Sequence, residues 1–224
     1  MQTVFNWAVR HGLLTQSSLI GYEKPRARVR TRVIEPAEFQ SLLRHTDAVF
    51  RRVLIALRLT GCRPGEIRNL IWPWVDLSNG LWIFPDHKTI TRQQNPMPRS
   101  IPLPAPIHKM CKSLRDSTPN ESGHVFLNSR GTPYTKDAFC TKMRRLRKRA
   151  GIVVKAGEEL VLYSARHTFA TQAAGKVTDI ELAELLGQTD TRTTSQDYSQ
   201  TLARMRKRGE RGSNCWRGVG FSPV

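Results

Sequence analysis

The sequence holds 224 residues, 39% of them hydrophobic, enough for one large core or for one domain carrying a fragment of another. Its 36 Lys and Arg against 18 Asp and Glu leave a formal charge of +18, which predicts attraction to a polyanion, nucleic acid first. No apolar run is long enough to span a membrane, and there is no amphipathic helix with a Trp/Phe face to lie on one. The start "MQTVFNWAVRHGLL" lacks the charged-then-apolar order of a secretory signal. Cys62, Cys111, Cys140 and Cys215 lie far apart with no CxxC pair or Cys/His ligand spacing. They read as core or incidental thiols in a reducing compartment, not as a disulfide framework or a zinc site.

Residues 1–14 carry Val4, Phe5, Ala8, Val9 and Leu13 at helical spacing. That helix is too short to fold alone and needs a partner. "KPRARVRTR" (24–32) alternates Arg with other residues around a Pro, without apolar periodicity, and reads as an extended basic linker. Pro36 then opens a helix with Phe39, Leu42 and Leu43 on one face. A second helix spans about Asp47 to Leu59, with Val49, Phe50, Val53, Leu54 and Leu57 at the same spacing and Gly61 as its stop. Pro64 opens a third helix, "PGEIRNLI".

Two β segments follow, "LWIFP" (81–85) and "SIPLP" (100–104), parted by a polar, Pro-containing loop. Residues 107–116 and 136–149 read as helices. The latter places Phe139, Met143 and Leu146 inward and crowds the rest with Lys and Arg, a face suited equally to solvent or to phosphates. Ser164 is positioned to cap a helix that runs to Gly175. "TDIE" (178–181) is a capping box opening a helix with Leu182, Leu185 and Leu186 inside and Gly187 as its stop. Past Tyr198 the chain becomes basic again, "ARMRKRGERG".

Breaking a phosphodiester requires an attacking oxygen, a proton for the departing oxygen and positive donors on the phosphoryl oxygens. A metal often supplies the last, but the acids here are scattered and form no ligand cluster, so Arg and Lys must act instead. Arg63 sits beside a helix N-terminus, where backbone N–H groups favour an anion and a guanidinium matches two phosphate oxygens. Glu66 is spaced to orient it or to cap the helix. Arg166 follows Tyr163 by three residues, so both side chains share a helix face. Tyr198 is a nucleophile only with help, since a phenol titrates near ~10. Each residue taken singly also has a structural explanation: a surface Arg at a helix start, a core Tyr beside a solvated Arg, a half-buried helix Tyr.

Order and flanks decide between these readings. "LTGCRPGEIRNLIW", "HKT" before "IPLP", "ARHTFAT" and "ELLGQTDTRTTSQDYSQ" together resemble the tyrosine recombinase (phage integrase) family across roughly residues 31–200. The resemblance implies an α+β, mainly helical catalytic domain with a small antiparallel sheet, the DNA breaking-rejoining fold, closing as half of a clamp on duplex DNA. It divides the chain into a terminal helix of a truncated N-terminal core-binding domain (1–14), a basic linker (15–31), the catalytic domain (32–202) and a basic tail (203–224).

Position by position, the resemblance implies that Arg63 and Arg166 bind the scissile phosphate. Lys88 then serves as general acid to the 5′-oxygen and Tyr198 as the nucleophile forming a 3′-phosphotyrosyl link, with Glu66 and His167 in support. No cofactor is implied: two guanidinium groups neutralise the developing charge without a metal, and the covalent intermediate conserves the bond energy, so no ATP is required. Two positions depart from the pattern. Tyr163 stands where the family usually has His, and Gln188 where it has His or Trp. The spacing from Gln188 to Tyr198 is also one residue longer than in many members.

A phenol donates a hydrogen bond but is a poor base, a loss worth ~10²–10⁴-fold in rate. Gln188 still donates, so its exchange is milder. Both stay among the expected catalytic residues. The implied function is site-specific recombination by a mobile-element integrase, acting as a homotetramer on paired double-stranded DNA sites in the cytoplasm, at the nucleoid, with accessory DNA-bending or directionality proteins. The alternatives are a DNA-binding remnant that no longer cuts and a type IB topoisomerase-like relaxing enzyme.

Overall fold

The computed structural model describes residues 2–23, 32–85, 98–117, 123–153, 158–174 and 176–188. Two of the expected catalytic residues, Lys88 and Tyr198, lie outside these residues, as do the "KPRAR" stretch and the basic tail. The described elements run in the order α1 (Gln2–Arg10), α2 (Pro36–Arg44), α3 (Ala48–Thr60), α4 (Pro64–Asn69), β1 (Val75–Asp76), β2 (Leu81–Phe84), β3 (Arg99–Pro102), α5 (Ala105–Ser117), α6 (Lys136–Arg149), α7 (Leu162–Ala173) and α8 (Asp179–Leu186). The strands form one antiparallel sheet in sequence order, with Trp82 opposite Ile101 and Phe84 opposite Arg99. A mainly helical domain with a small sheet is therefore what the chain builds.

α3 is the central element. Asp47 caps it by accepting from the Phe50 N–H at 2.8 Å, and Gly61 ends it in the left-handed conformation at φ +63°. Both of its sides are apolar, with Phe50, Val53, Leu54, Ala56 and Leu57 all buried, because α7 packs along one side and α4 and α5 meet the others. The Phe50 ring also lies edge-on to Phe139 of α6 at 5.7 Å. On the sheet side, Trp82 is fully buried and meets Phe126 edge-on at 6.1 Å. A second, smaller cluster joins α7 to α8 through Ala170, Ala174, Leu182 and Leu186.

Both ends of α7 differ from the sequence expectation. α7 begins at Leu162, before the expected cap Ser164. Ser164 caps from inside the first turn, its Oγ accepting from the Val161 N–H at 3.1 Å. The helix also stops at Ala173, short of Gly175. The short strand β1 carries too little pattern to have been foreseen. α6 matches its expected bounds, and α8 starts at the foreseen box, Glu181 Oε2 accepting from the Thr178 N–H at 2.7 Å. α1 forms over Gln2–Arg10, shorter than the expected 1–14, and buries none of its residues; Val4 and Trp7 within it, and Leu13 beyond it, are exposed.

Candidate active site

The site assembles where three helix ends meet: the C-terminus of α3, the N-terminus of α4 and the C-terminus of α8. Gly61 and Pro64 enforce the sharp α3–α4 corner, one by its left-handed φ and the other by fixing the first residue of α4. Arg63 lies between them. Its side chain does not point outward, as the sequence alone suggests; it folds back and is only 14% exposed. Glu66 explains this. One carboxylate oxygen accepts from the Arg63 backbone N–H at 2.7 Å, and the other from Arg63 Nη1 at 2.8 Å. Glu66 thus caps the helix and orients the arginine at once, joining two roles the sequence left as alternatives.

Arg166 reaches the same place from α7. It is fully buried, donating from Nη1 to the Gly61 carbonyl at 2.9 Å and from Nη2 to the Leu186 carbonyl. Among the described residues its Nε–H has no hydrogen-bond partner. Tyr163 shares its face as expected: the guanidinium lies 6.0 Å from the phenol ring, and that ring is edge-on to His167 at 5.1 Å. Burial is the reverse of the ordinary pattern, since the tyrosine is 39% exposed while the arginine is sealed.

Sequence reasoning missed a third arginine. Arg99, the first residue of β3, has a side chain 3% exposed; it pairs with Glu66 through Nη1 and donates from Nη2 to the Leu185 carbonyl at 2.8 Å. The signal for it was present. Along β3 burial alternates so that Arg99 faces the same way as Ile101, and in a strand i and i+2 share a face. Reading the β segment from Ser100 left that inward arginine just outside it.

Three successive carbonyls at the end of α8 therefore each receive a different guanidinium: Leu185 from Arg99, Leu186 from Arg166 and Gly187 from Arg63 at 2.8 Å. These are carbonyls a helix end leaves unpaired, and they carry the negative end of its dipole. Gln188 follows directly and is half-buried, its backbone N–H closing the helix onto the Ala183 carbonyl at 2.8 Å. The site thus brings Arg63, Glu66, Tyr163, Arg166, His167 and Gln188 to one corner of the fold, with Arg99 added.

Among the described residues, three guanidinium groups meet in this corner with one carboxylate: Arg63 and Arg99 bond Glu66, and Arg166 bonds the Gly61 carbonyl. Glu66 is buried, which opposes its ionisation, but Arg99 and Arg63 outweigh that and hold it below the ordinary carboxylate range. Burial pulls Arg166 below the usual guanidinium range, with Tyr163 and Glu66 opposing the shift and Arg63 and Arg99 adding to it. Uncompensated buried charge is costly. The α8 carbonyls offset part of it, and an anion would offset the rest. Among the described residues no group of His, Cys, Asp and Glu is arranged to hold a metal ion.

A second basic feature lies at the opposite end of α3. Arg130, Lys142, Arg145, Lys148 and Arg149 line a groove of about 800 Å³ between α6 and the 128–132 turn, with Asp47 at its floor. Lys142 is taken up by Asp47 at 2.6 Å and by the Phe50 ring at 5.2 Å. Since Asp47 and Gly61 cap the two ends of α3, at ~1.5 Å per residue the groove stands roughly 20 Å from the arginine corner.

A sequence profile described as the Phage integrase family matches residues 32–204. A tyrosine recombinase XerA of Thermococcus kodakarensis is 29% identical over 163 residues, covering 72% of this chain and 54% of that protein. The chain therefore spans about half the length of the curated relatives it matches. Among solved structures, XerA recombinase superposes with a TM-score of 0.62 at 22% identity, covering 84% of this chain and 67% of the other. A lambda integrase tetramer bound to a Holliday junction gives a TM-score of 0.69 at 16% identity, covering 87% of this chain and 56% of the other. At these identities the superpositions establish a shared fold.

Proposed function

The chain belongs to the phage integrase family, and from that premise we propose that it is a tyrosine-type site-specific DNA recombinase, cutting and rejoining duplex DNA through a 3′-phosphotyrosyl intermediate. The observation that carries this reading is the arginine corner: Arg63 and Arg166, far apart in sequence, are held on the successive carbonyls of Gly187 and Leu186, in a corner whose described residues carry more positive than negative charge. A bridging phosphodiester supplies the missing negative charge, and two guanidinium groups stabilise it further as charge develops in the transition state.

In this reading Tyr198 attacks the phosphorus, its phenolic proton passes to solvent water, and the 5′-oxygen departs with a proton from Lys88. Reversal by a 5′-hydroxyl of another strand rejoins the DNA, so neither metal nor nucleotide cofactor takes part. Tyr163 and Gln188 donate hydrogen bonds to the phosphoryl oxygens where the family usually has His and His/Trp. His167, against the Tyr163 ring, holds that side chain in place.

The α6 groove supplies a second phosphate-binding surface about 20 Å away, within reach of the same duplex, whose own width is of that order. A lambda integrase forms tetramers on a Holliday junction, and we extend that arrangement to this chain as a homotetramer on paired sites, with accessory DNA-bending proteins setting direction. Residues 1–14 then belong to a second, N-terminal DNA-embracing unit, which agrees with an α1 that buries nothing. The protein works in the cytoplasm at the nucleoid, and no helix among the described residues is long and apolar enough to cross a membrane.

A second reading, a DNA-binding remnant, is favoured by Tyr163 alone. The test is to incubate the protein with a pool of nicked suicide duplexes and run a denaturing gel. A covalent adduct lost in Tyr198→Phe supports the recombinase; DNA binding with no adduct supports the remnant. Relaxation of supercoiled DNA without exchange between sites assigns topoisomerase-like action instead.

A further inference from the structure

We propose that Arg99 is a positioning residue of this site, the joint that ties the Arg63–Glu66 pair, the end of α8 and the base of the β2–β3 connection into one rigid unit. The inference rests on the recombinase reading for its consequence but on the geometry for its content. Arg99 has three attachments. Its backbone pairs with Phe84 at the last rung of the β2–β3 ladder, so it stands at the base of the connection to which Lys88 belongs. Its Nη1 shares Glu66 Oε2 with the Arg63 backbone N–H, while Glu66 Oε1 holds Arg63 Nη1. Its Nη2 holds the Leu185 carbonyl, one residue before the carbonyl that receives Arg166 and two before the one that receives Arg63.

Packing makes the joint tight. A Cβ placed on Gly187 would come within 2.4 Å of Arg99 Cδ and Nε, so only glycine lets the arginine pass beneath the turn that ends α8. The Arg99 side chain is 3% exposed, and both of its terminal nitrogens are engaged, one by Glu66 and the other by the Leu185 carbonyl, so we assign it to holding its neighbours. Without it, Glu66 keeps Arg63 alone, and Leu185 loses its hydrogen bond to β3. Arg63 then keeps a carboxylate that is itself less firmly fixed, and α8, which ends at Leu186, loses its Leu185 bond to β3. A preorganised guanidinium acts on the transition state without reorganising, so loosening it lowers the rate at saturating DNA more than it weakens DNA binding.

The experiment uses the whole chain and two variants, Arg99→Lys and Arg99→Gln, with circular dichroism confirming the fold of each. Arginine side-chain nitrogen NMR of the ligand-free protein reads the order of Arg63 directly. Expected is a guanidinium with slowed rotation in the wild type, intermediate in Arg99→Lys, and freely rotating in Arg99→Gln. Equal order of Arg63 in all three overturns the proposal, whatever the protein does to DNA.

On nicked duplexes, Arg99→Gln is expected to slow adduct formation at saturating DNA by at least ~10-fold, with half-saturation moving less than ~3-fold and Arg99→Lys recovering part of the rate. Adding Arg99→Gln to Arg63→Ala slows the reaction by less than the two single losses multiplied, because part of the loss runs through Arg63; fully multiplied losses contradict this. A wild type with an ordered Arg63 but no adduct overturns the recombinase reading and leaves the joint standing.

Discussion

Arg166 donates to the Gly61 carbonyl at 2.9 Å across 105 residues of sequence, so the turn that ends α3 also orients a buried guanidinium of α7. The arginine corner is therefore built into the principal helix packing of the domain, and disturbing that turn disturbs both stability and the candidate site.

Gly61→Ala should be costly. Its φ of +63° disfavours any side chain, and the added Cβ would lie 2.4 Å from Phe169 Cδ1. Left-handed strain together with overpacking predicts a loss of about 2–4 kcal/mol in urea unfolding. Combining it with Phe169→Leu recovers the packing part and not the backbone part. A change below about 0.5 kcal/mol contradicts the described geometry.

Stability should fall in acid through Glu66. Its folded pKa is depressed, so its contribution is complete above the unfolded value near ~4.3 and disappears as pH falls through the folded value. Glu66→Gln removes that part of the acid transition, leaving a flatter profile below about pH 4, and costs about 3 kcal/mol or more at neutral pH by stranding Arg99 and Arg63. Paired urea titrations of wild type and variant at pH 3 to 7 measure both effects.

The described thiols should differ sharply in reactivity. Cys62 has no exposure, and burial together with the neighbouring Glu66 pushes its pKa up to about 12; burial raises Cys111 to about 11. Cys140 is exposed on α6. Peptide mass spectrometry after iodoacetamide at pH 8 should find Cys140 modified in the native protein, and Cys62 and Cys111 only after unfolding.

Tyr163→His should raise the cleavage rate by about 10-fold or more, by restoring a base that titrates near neutral pH. The ring is 39% exposed, so the exchange leaves the melting temperature almost unchanged. A variant that cleaves no faster means that the phenol is not what limits the reaction.

The groove on α6 should report as salt dependence. Replacing Arg145 or Arg149 with Ala removes one phosphate contact each and lowers the slope of log binding constant against log salt by ~0.9. Lys142→Ala instead lowers stability, because that ammonium is engaged by Asp47 and Phe50.

Much of the fold was legible in the sequence because its signals are local. The apolar spacing of α3 and α6, the Thr178–Glu181 box and the Gly61 and Gly187 stops are each settled by a few neighbouring residues. Motif order brought Arg63, Tyr163 and Arg166 to one place, and the structure unites them. What escaped was non-local. The inward turn of Arg63 depends on Glu66 and on a carbonyl 124 residues away, and Arg99 acquires its role only when β3 meets α4 and α8. No spacing rule encodes a contact between elements whose packing is not yet known. Lys88 and Tyr198 rest on the family resemblance, since both lie outside the described residues.

The most direct measurement is mass spectrometry of the protease-digested covalent adduct formed on a nicked duplex, identifying which side chain carries the nucleotide. The account predicts a phosphonucleotide on Tyr198 alone, formed with Arg166 intact and lost in Arg166→Ala. A nucleotide on Tyr163, the phenol already resting against Arg166, would contradict it.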